Sequence, residues 1–137
     1  MKHIAPLLLA SALIAGVSGC HSGGAYRPVN TTKYDLENTE PLVLLDKGAQ
    51  RSVTASGIQK RVNEDGRMEV IANLRNRENR RIQVQVNCVF KDEQGFPTGD
   101  ETPFRNVFLD ENAQEAVRFV SMNDQARKFT IRVRQAR

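Results

Sequence analysis

The two cysteines are the residues of this chain whose chemistry is easiest to foresee, because a thiol can be acylated, oxidised or turned into a nucleophile. Cys20 directly follows Val17-Ser18-Gly19, at the end of a run without charged residues that starts at Ile4. Cys88 lies in a segment of alternating polar and apolar residues. We therefore predict that Cys20 belongs to a processing site, whereas Cys88 is a buried, inert thiol on the apolar face of a strand.

The segment before Cys20 has the layout of an export signal. Met1-Lys2-His3 is a short basic leader, and the uncharged run after it ends in small residues. This run is too short to span a bilayer, which takes ~20 residues. Residues 17–20 resemble the bacterial lipobox, in which an aliphatic residue and two small residues precede a cysteine. The resemblance implies a signal peptide over residues 1–19 and fatty acyl groups, such as palmitate, on Cys20.

An acylated Cys20 is a membrane anchor. One acyl chain holds a protein only reversibly, whereas the three chains usual for such lipoproteins hold it permanently, since each buried methylene contributes ~0.8 kcal/mol. By resemblance to sorted lipoproteins, an Asp after the anchor favours the inner membrane, and His21 stands there instead. We therefore predict a lipid-anchored protein on the periplasmic face of the outer membrane. Residues 20–40 are predicted to form a flexible tether, whose r.m.s. span is roughly 25 Å.

Short alternating segments predict a single all-β domain over residues 41–137. In Arg81 to Phe90, the even-numbered residues are apolar and the odd-numbered ones are mostly polar. Met68 to Arg75 and Phe129 to Val133 alternate in the same way. Alternation with a period of two indicates half-buried strands. Because turn sequences separate several such segments, we predict an antiparallel β-sandwich of roughly seven strands.

The same alternation predicts strand pairing and a core. The polar sequence Asn76-Arg77-Glu78-Asn79 joins two of the strands, so Met68 to Arg75 and Arg81 to Phe90 are expected to form an antiparallel hairpin. The core is expected on the inward-facing sides of the strands. Its predicted members are Val70, Leu74, Ile82, Val84, Val86, Phe119, Ile131 and Val133.

The domain lacks the residue patterns of common catalytic and metal sites. Both histidines, His3 and His21, precede it, which excludes His-based nucleophile triads and His-ligated metals within the domain. The acidic pairs, among them Asp92-Glu93 and Asp110-Glu111, fall in predicted turns, where Asp commonly stabilises the turn itself. We predict a protein that is not an enzyme and has no cofactor or metal.

Arginines provide the candidate binding surface. Arg132 and Arg134 point outward if the apolar residues of the last strand point inward, and Arg118 is expected beside them. A second group of arginines lies between Arg75 and Arg81. Their forked donors suit phosphates of lipopolysaccharide, carboxylates of peptidoglycan or an acidic protein. Alternatively, these arginines are solvated strand faces whose charge protects the sheet edges.

Three pieces of the chain also carry a family resemblance: Met68 to Phe90 with the turn to Phe96, Phe104 to Phe119, and the closing strand Phe129 to Val133. Together they resemble the YcfL family of small Gram-negative lipoproteins. That resemblance implies an immunoglobulin-like sandwich on a lipid anchor, without a settled activity or binding residues. The expected function is a non-catalytic binding or scaffold module for an envelope protein complex, with no nucleic acid partner. Two alternatives stay open: a module for anionic glycans or lipids, and an inhibitor or immunity lipoprotein directed against a lytic enzyme.

Overall fold

A computed structural model describes residues 39–136. The predicted signal peptide, Cys20 and most of the predicted tether lie outside these residues. Among residues 39–136, no helix has the length and apolar character needed to cross a bilayer. The elements are β1 (Leu42–Leu44), α1 (Lys47–Ser52), β2 (Val53–Val62), β3 (Met68–Asn76), β4 (Ile82–Lys91), β5 (Pro97–Glu101), β6 (Arg105–Leu109), β7 (Gln114–Val120) and β8 (Lys128–Gln135).

The strands form two sheets that face each other, which confirms the predicted all-β sandwich. In the five-stranded sheet, β8 lies between β1 and β4, and the other edge of β4 pairs with both β5 and β6. The three-stranded sheet has the order β2–β3–β7. All pairings are antiparallel except the one between β1 and β8, which is parallel. The short β1 therefore departs from the purely antiparallel arrangement expected.

The predicted hairpin between Met68–Arg75 and Arg81–Phe90 is wrong. These segments form β3 and β4, which belong to different sheets: β3 pairs with β2 and β7, whereas β4 pairs with β5, β6 and β8. The link between them crosses from one layer to the other. Alternation reports only that one face of each strand is buried, and two strands that face each other across a core satisfy it as well as two neighbours in one sheet.

The core lies between the sheets and consists mainly of aliphatic side chains. The largest fully buried side chains include Phe90, Met68 and Leu74. Seven of the eight predicted core residues are buried, and Ile82 is half-buried against the edge of the core. The face predicted for each of the three clearest strands is therefore confirmed. Along each strand, the residues between the inward-facing ones point to an outer surface of the sandwich. These two outer surfaces are where binding is possible.

The sequence analysis missed the short helix α1. Asp46 caps it: Oδ1 accepts a hydrogen bond from the Ala49 amide at 2.8 Å, and Oδ2 accepts one from the Gln135 amide at 2.8 Å. The cap thus ties α1 to the end of β8. Gly48 allows this close approach, since a Cβ there would lie 2.5 Å from Oε1 of Gln135.

Candidate functional site

The outer surface of the five-stranded sheet carries an unusual combination of arginine, phenylalanine and amide side chains. Because Val84 and Val86 of β4 point into the core, Gln83 and Gln85 point outward. Register places Gln83 opposite Phe108. We call this surface the Phe–Arg face; its members are Arg81, Gln83, Gln85, Phe104, Asn106, Phe108, Arg132 and Arg134.

Three arginine–phenylalanine contacts organise the Phe–Arg face, and in the longest of them the guanidinium carbon of Arg132 lies 5.7 Å from the centre of the Phe104 ring. The guanidinium carbon of Arg134 lies 3.7 Å from the centre of the Phe104 ring, and that of Arg81 lies 5.0 Å from the centre of the Phe108 ring. All three distances are within the range of a cation–π interaction. Each ring therefore holds a guanidinium in place. Arg81 is also paired with Asp110, whose Oδ1 lies 3.2 Å from its Nε, so Arg134 has more of its edge available to a partner.

Amide groups connect these contacts across β4. The Nε of Arg134 donates to Oε1 of Gln85 at 2.9 Å, and Nε2 of Gln85 donates to Oδ1 of Asn106 at 3.1 Å. This chain of hydrogen bonds runs from β8 through β4 to β6. It orients the Arg134 side chain before any partner binds, so less conformational entropy of this side chain is lost on binding.

Arg132 lies on the same face but is more enclosed than the sequence suggested. Its side chain is 22% exposed and forms an ion pair with Glu101, and its Nε donates to Oδ1 of Asn87 at 3.1 Å. Asn87 is itself buried. Arg132 therefore has fewer donors left for a partner than Arg134, and it serves mainly to join β8, β4 and the end of β5.

Arg118 does not lie beside Arg132 and Arg134. It belongs to β7 in the three-stranded sheet, so its side chain is on the opposite outer surface of the sandwich. There it donates to Oε2 of Glu69 at 2.5 Å, and Nη2 of Arg61 lies 2.6 Å from the other carboxylate oxygen. The Glu69 side chain is 1% exposed. The predicted trio is therefore a pair on one face and a structural arginine on the other.

The hydrogen bond from Arg118, followed by the charges of Arg118 and Arg61, holds the pKa of Glu69 below its usual value of 4.5. A carboxyl whose pKa is lowered on folding contributes stability above its unfolded pKa, and this contribution is lost as the pH falls through the folded pKa. We therefore expect Arg118→Gln to destabilise the protein at pH 7 and to do so less below pH 4.5. Denaturant unfolding at both pH values checks this. Arg75→Gln, on the same outer surface, is the control and should show no such pH dependence.

A second arginine-rich site is the cleft between α1 and the start of β4, with a volume of about 210 Å³. Ala49, Ile82 and Val84 contribute apolar lining, and Arg51, Arg80 and Arg81 contribute the charge. Arg80 is engaged by Glu78, whose Oε2 lies 2.5 Å from its Nε. The cleft thus contains part of the arginine group predicted between residues 75 and 81, joined by Arg51 from α1.

The comparison with known proteins agrees with this sandwich. The DUF1425 family, described as proteins of unknown function, matches residues 40–135. The chain belongs to the DUF1425 family. The crystal structure of Campylobacter jejuni cj0090 is similar to the chain with a TM-score of 0.57 and 19% identity, over 70% of this chain and 98% of that one. None of the curated proteins matches the chain.

A second similar crystal structure is that of a DUF1425 family member from Shewanella sp. pv-4. Its TM-score is 0.56 at 20% identity, and the match covers 62% of this chain and 79% of that chain. At such identities both structures show the shared fold alone.

Cys88 is the one cysteine among the described residues of this DUF1425 domain, and it is buried. Burial, and secondarily the charge of Asp100, raises the pKa of Cys88 to about 12, so the thiol stays protonated at neutral pH. Residues 39–136 contain no group of three or more His, Cys, Asp or Glu side chains that could hold a metal ion. The Phe–Arg face offers arginine, amide and aromatic groups on the outer surface of the sheet.

Sequence reasoning missed the phenylalanines of the Phe–Arg face. The segment Phe104 to Leu109 has two apolar residues and one polar residue on each of its faces, so the sequence pattern does not tell which side points inward. In the structure Leu109 is buried, which leaves Phe108 on the outer surface with 53% of it exposed. The pairing of β6 with β4, a non-local contact, decides this orientation.

Proposed function

We propose that this protein is a lipoprotein anchored by Cys20 on the periplasmic face of the outer membrane, where its sandwich binds an envelope protein without catalysing a reaction. The basic leader, the uncharged run and the lipobox-like residues 17–20 support the anchor. Within the DUF1425 family, the resemblance to the YcfL lipoproteins supports the same address. The binding role rests on the Phe–Arg face.

The observation that carries the binding role is the composition of the Phe–Arg face. Aromatic residues and arginine are enriched at protein interfaces, whereas Lys, Glu and Asp are depleted there. The Phe–Arg face has three arginines, two phenylalanines and three amide side chains, and the two carboxylates beside it, Glu101 and Asp110, are each paired with one of its arginines. A guanidinium stacked on a ring offers its edge to a carboxylate while the ring packs against apolar groups. A protein with an acidic and aromatic surface fits this arrangement.

The second candidate function is binding of an anionic glycan or lipid, and the arginine-rich cleft favours it. Its apolar lining and basic side chains suit a small anion that also carries an apolar group. A ligand held mainly by charge dissociates as salt rises, because exposed charges are screened beyond about 8 Å at physiological ionic strength. Binding at the Phe–Arg face relies more on apolar contact and should resist salt better.

We expect Arg134→Glu to lower the affinity for the envelope partner about thirtyfold and to lower its recovery accordingly, since loss of an interface hot spot costs ~2 kcal/mol or more. The measurement is in-cell crosslinking followed by quantification of the crosslinked partner. Arg75→Glu is the matched control, because it reverses an exposed arginine on the outer surface of the opposite sheet.

Thermal unfolding of both variants separates lost binding from lost folding. If Arg134→Glu is folded and recovers the partner as well as the Arg75→Glu control does, the Phe–Arg face is a solvated surface and this part of the proposal fails. Loss of binding in Arg51→Glu with no loss in Arg134→Glu assigns recognition to the cleft instead.

A further inference from the structure

Three of the four large apolar side chains that are exposed in the described part of the chain gather at one end of the sandwich. Val62, Phe96 and Met122 are 59%, 68% and 81% exposed. They come from three different connections: the end of β2, the β4–β5 turn and the β7–β8 loop. We call this set the apolar end.

Hydrogen bonds between the connections show that they share one end. The amide of Arg127 donates to the carbonyl of Lys91 at 2.8 Å, which joins the β7–β8 loop to the end of β4. The amide of Met122 donates to Oδ2 of Asp100 at 2.5 Å, which joins the same loop to β5. Nζ of Lys60 donates to the carbonyl of Arg127 at 3.3 Å, so β2 of the other sheet reaches the same place.

The turn that carries Phe96 is ordered by its own hydrogen bonds. The Phe96 amide donates to Oδ1 of Asp92 at 2.9 Å, and the Asp92 amide donates to the carbonyl of Phe96 at 2.8 Å. Gly95 between them has a φ of 90°, a conformation that favours glycine. These hydrogen bonds fix the backbone of the turn, and the Phe96 side chain on it points outward.

The chain enters the sandwich at the same end. Thr39 and Glu40 line a shallow depression together with Lys60, Lys128 and Phe129, at the start of β8. The carbonyl of Pro41 then accepts a hydrogen bond from the Ile131 amide at 2.8 Å, and β1 runs parallel to β8 toward the opposite end. The segment that leads to the proposed anchor therefore joins the sandwich at the apolar end.

The distance between the anchor and this end is bounded by chain length. Residues 21–38 separate Cys20 from the first described residue, and 18 residues span at most about 65 Å when fully extended. The arginine-rich cleft lies beside α1, at the end of the sandwich away from the point where the chain enters. Tethering raises the local concentration of the lipid surface near the apolar end.

We propose that the apolar end rests on the bilayer, with Phe96 and Met122 inserted at the boundary between head groups and acyl chains. This inference rests on the proposed Cys20 anchor. Aromatic and long apolar side chains favour that boundary. Basic and acidic side chains both surround the apolar end, including Arg67 paired with Asp65, which suits zwitterionic head groups. The Arg-rich cleft is then directed away from the membrane, into the periplasm.

Tryptophan fluorescence tests the orientation, because the chain contains no tryptophan. The full-length lipidated protein with Phe96→Trp is reconstituted into phosphatidylethanolamine–phosphatidylglycerol vesicles that contain lipids brominated along the acyl chain. Phe108→Trp is the matched control, since Phe108 is also exposed but lies on the Phe–Arg face. We expect the tryptophan at position 96 to shift to the blue and to lose at least half of its emission to bromine, and the tryptophan at position 108 to do neither.

The outcomes distinguish this inference from the proposed anchor. Mass spectrometry of the same sample reports acylation of Cys20, and flotation reports vesicle binding. An acylated, floating protein whose tryptophan at position 96 is unquenched overturns the orientation and leaves the anchor intact. A blue shift without quenching means that protein covers the apolar end, which also overturns the orientation. A mature protein without acyl chains overturns both.

Discussion

For the proposed lipid anchor on Cys20, we expect Cys20→Ser to remove the protein from the outer membrane almost completely. Serine offers no thiol for the diacylglycerol, so the variant either stays as an unprocessed precursor or leaves the membrane without an anchor. Each acyl methylene contributes ~0.8 kcal/mol of membrane binding, so loss of several chains shifts the partition by many orders of magnitude. Membrane fractionation with mass spectrometry of the N-terminus measures both effects.

The other cysteine provides the control for this experiment. Cys88→Ala replaces a buried cysteine of the core with a residue of similar size. We expect it to change the free energy of unfolding modestly while the protein stays in the membrane fraction. A Cys20→Ser variant that fractionates and is processed like the wild type would contradict the anchor. His21→Asp adds a separate check of sorting and should move the protein toward the inner membrane.

Asn76→Ala should destabilise the fold by about 3 kcal/mol, since each buried polar group left without a partner costs ~1–3 kcal/mol. The Asn76 side chain is fully buried at the end of β3. The two N–H donors of its Nδ2 face the carbonyls of Arg80, Leu109 and Asp110 at 2.7, 3.1 and 2.8 Å, so one donor is shared between two carbonyls, and its Oδ1 accepts from the Glu78 amide at 2.8 Å. Alanine removes all of these contacts, although the Asp110 carbonyl keeps its hydrogen bond from the Ala113 amide at 3.1 Å.

Asn79→Ala is the matched control for Asn76→Ala, because Asn79 is exposed in the same connection. We expect it to change the free energy of unfolding by less than about 0.5 kcal/mol. Denaturant unfolding of both variants gives the comparison, and an unchanged slope with denaturant shows that the folded state is still compact. A loss below about 1 kcal/mol in Asn76→Ala would mean that its hydrogen bonds do not hold the connection.

Asn76 also explains why the predicted hairpin did not form. In the sequence it is one polar residue among several, which is typical of a turn between paired strands. In the structure its side chain binds the backbone of the connection and of the β6–β7 turn at once, so the chain changes sheets there. Since those carbonyls belong to residues up to 34 positions away, no local pattern indicates the role of Asn76.

For the arginines, too, one part of their arrangement was predictable from the sequence and another part depended on the fold. The outward direction of Arg132 and Arg134 was predictable, because the positions of Ile131 and Val133 on the opposite side of the strand require it. The separation of Arg118 from them depends on which sheet β7 joins. Likewise, the burial of Glu69 depends on Arg61 and Arg118, which reach it from both neighbouring strands. The stacking of Arg134 on Phe104 also depends on the arrangement of strands around β4.

Three properties follow from the sequence alone: the β class, the inward face of each clear strand and the lack of histidine in the domain. These properties are local: side chains alternate with a period of two on any strand, and composition does not depend on folding. The sequence does not show which strands are neighbours, which connections pass from one sheet to the other, or which arginines contact phenylalanines. These features are known from the tertiary structure. Those outcomes depend on contacts between residues far apart in the chain, whose free energies are comparable for several pairings until the whole core is packed.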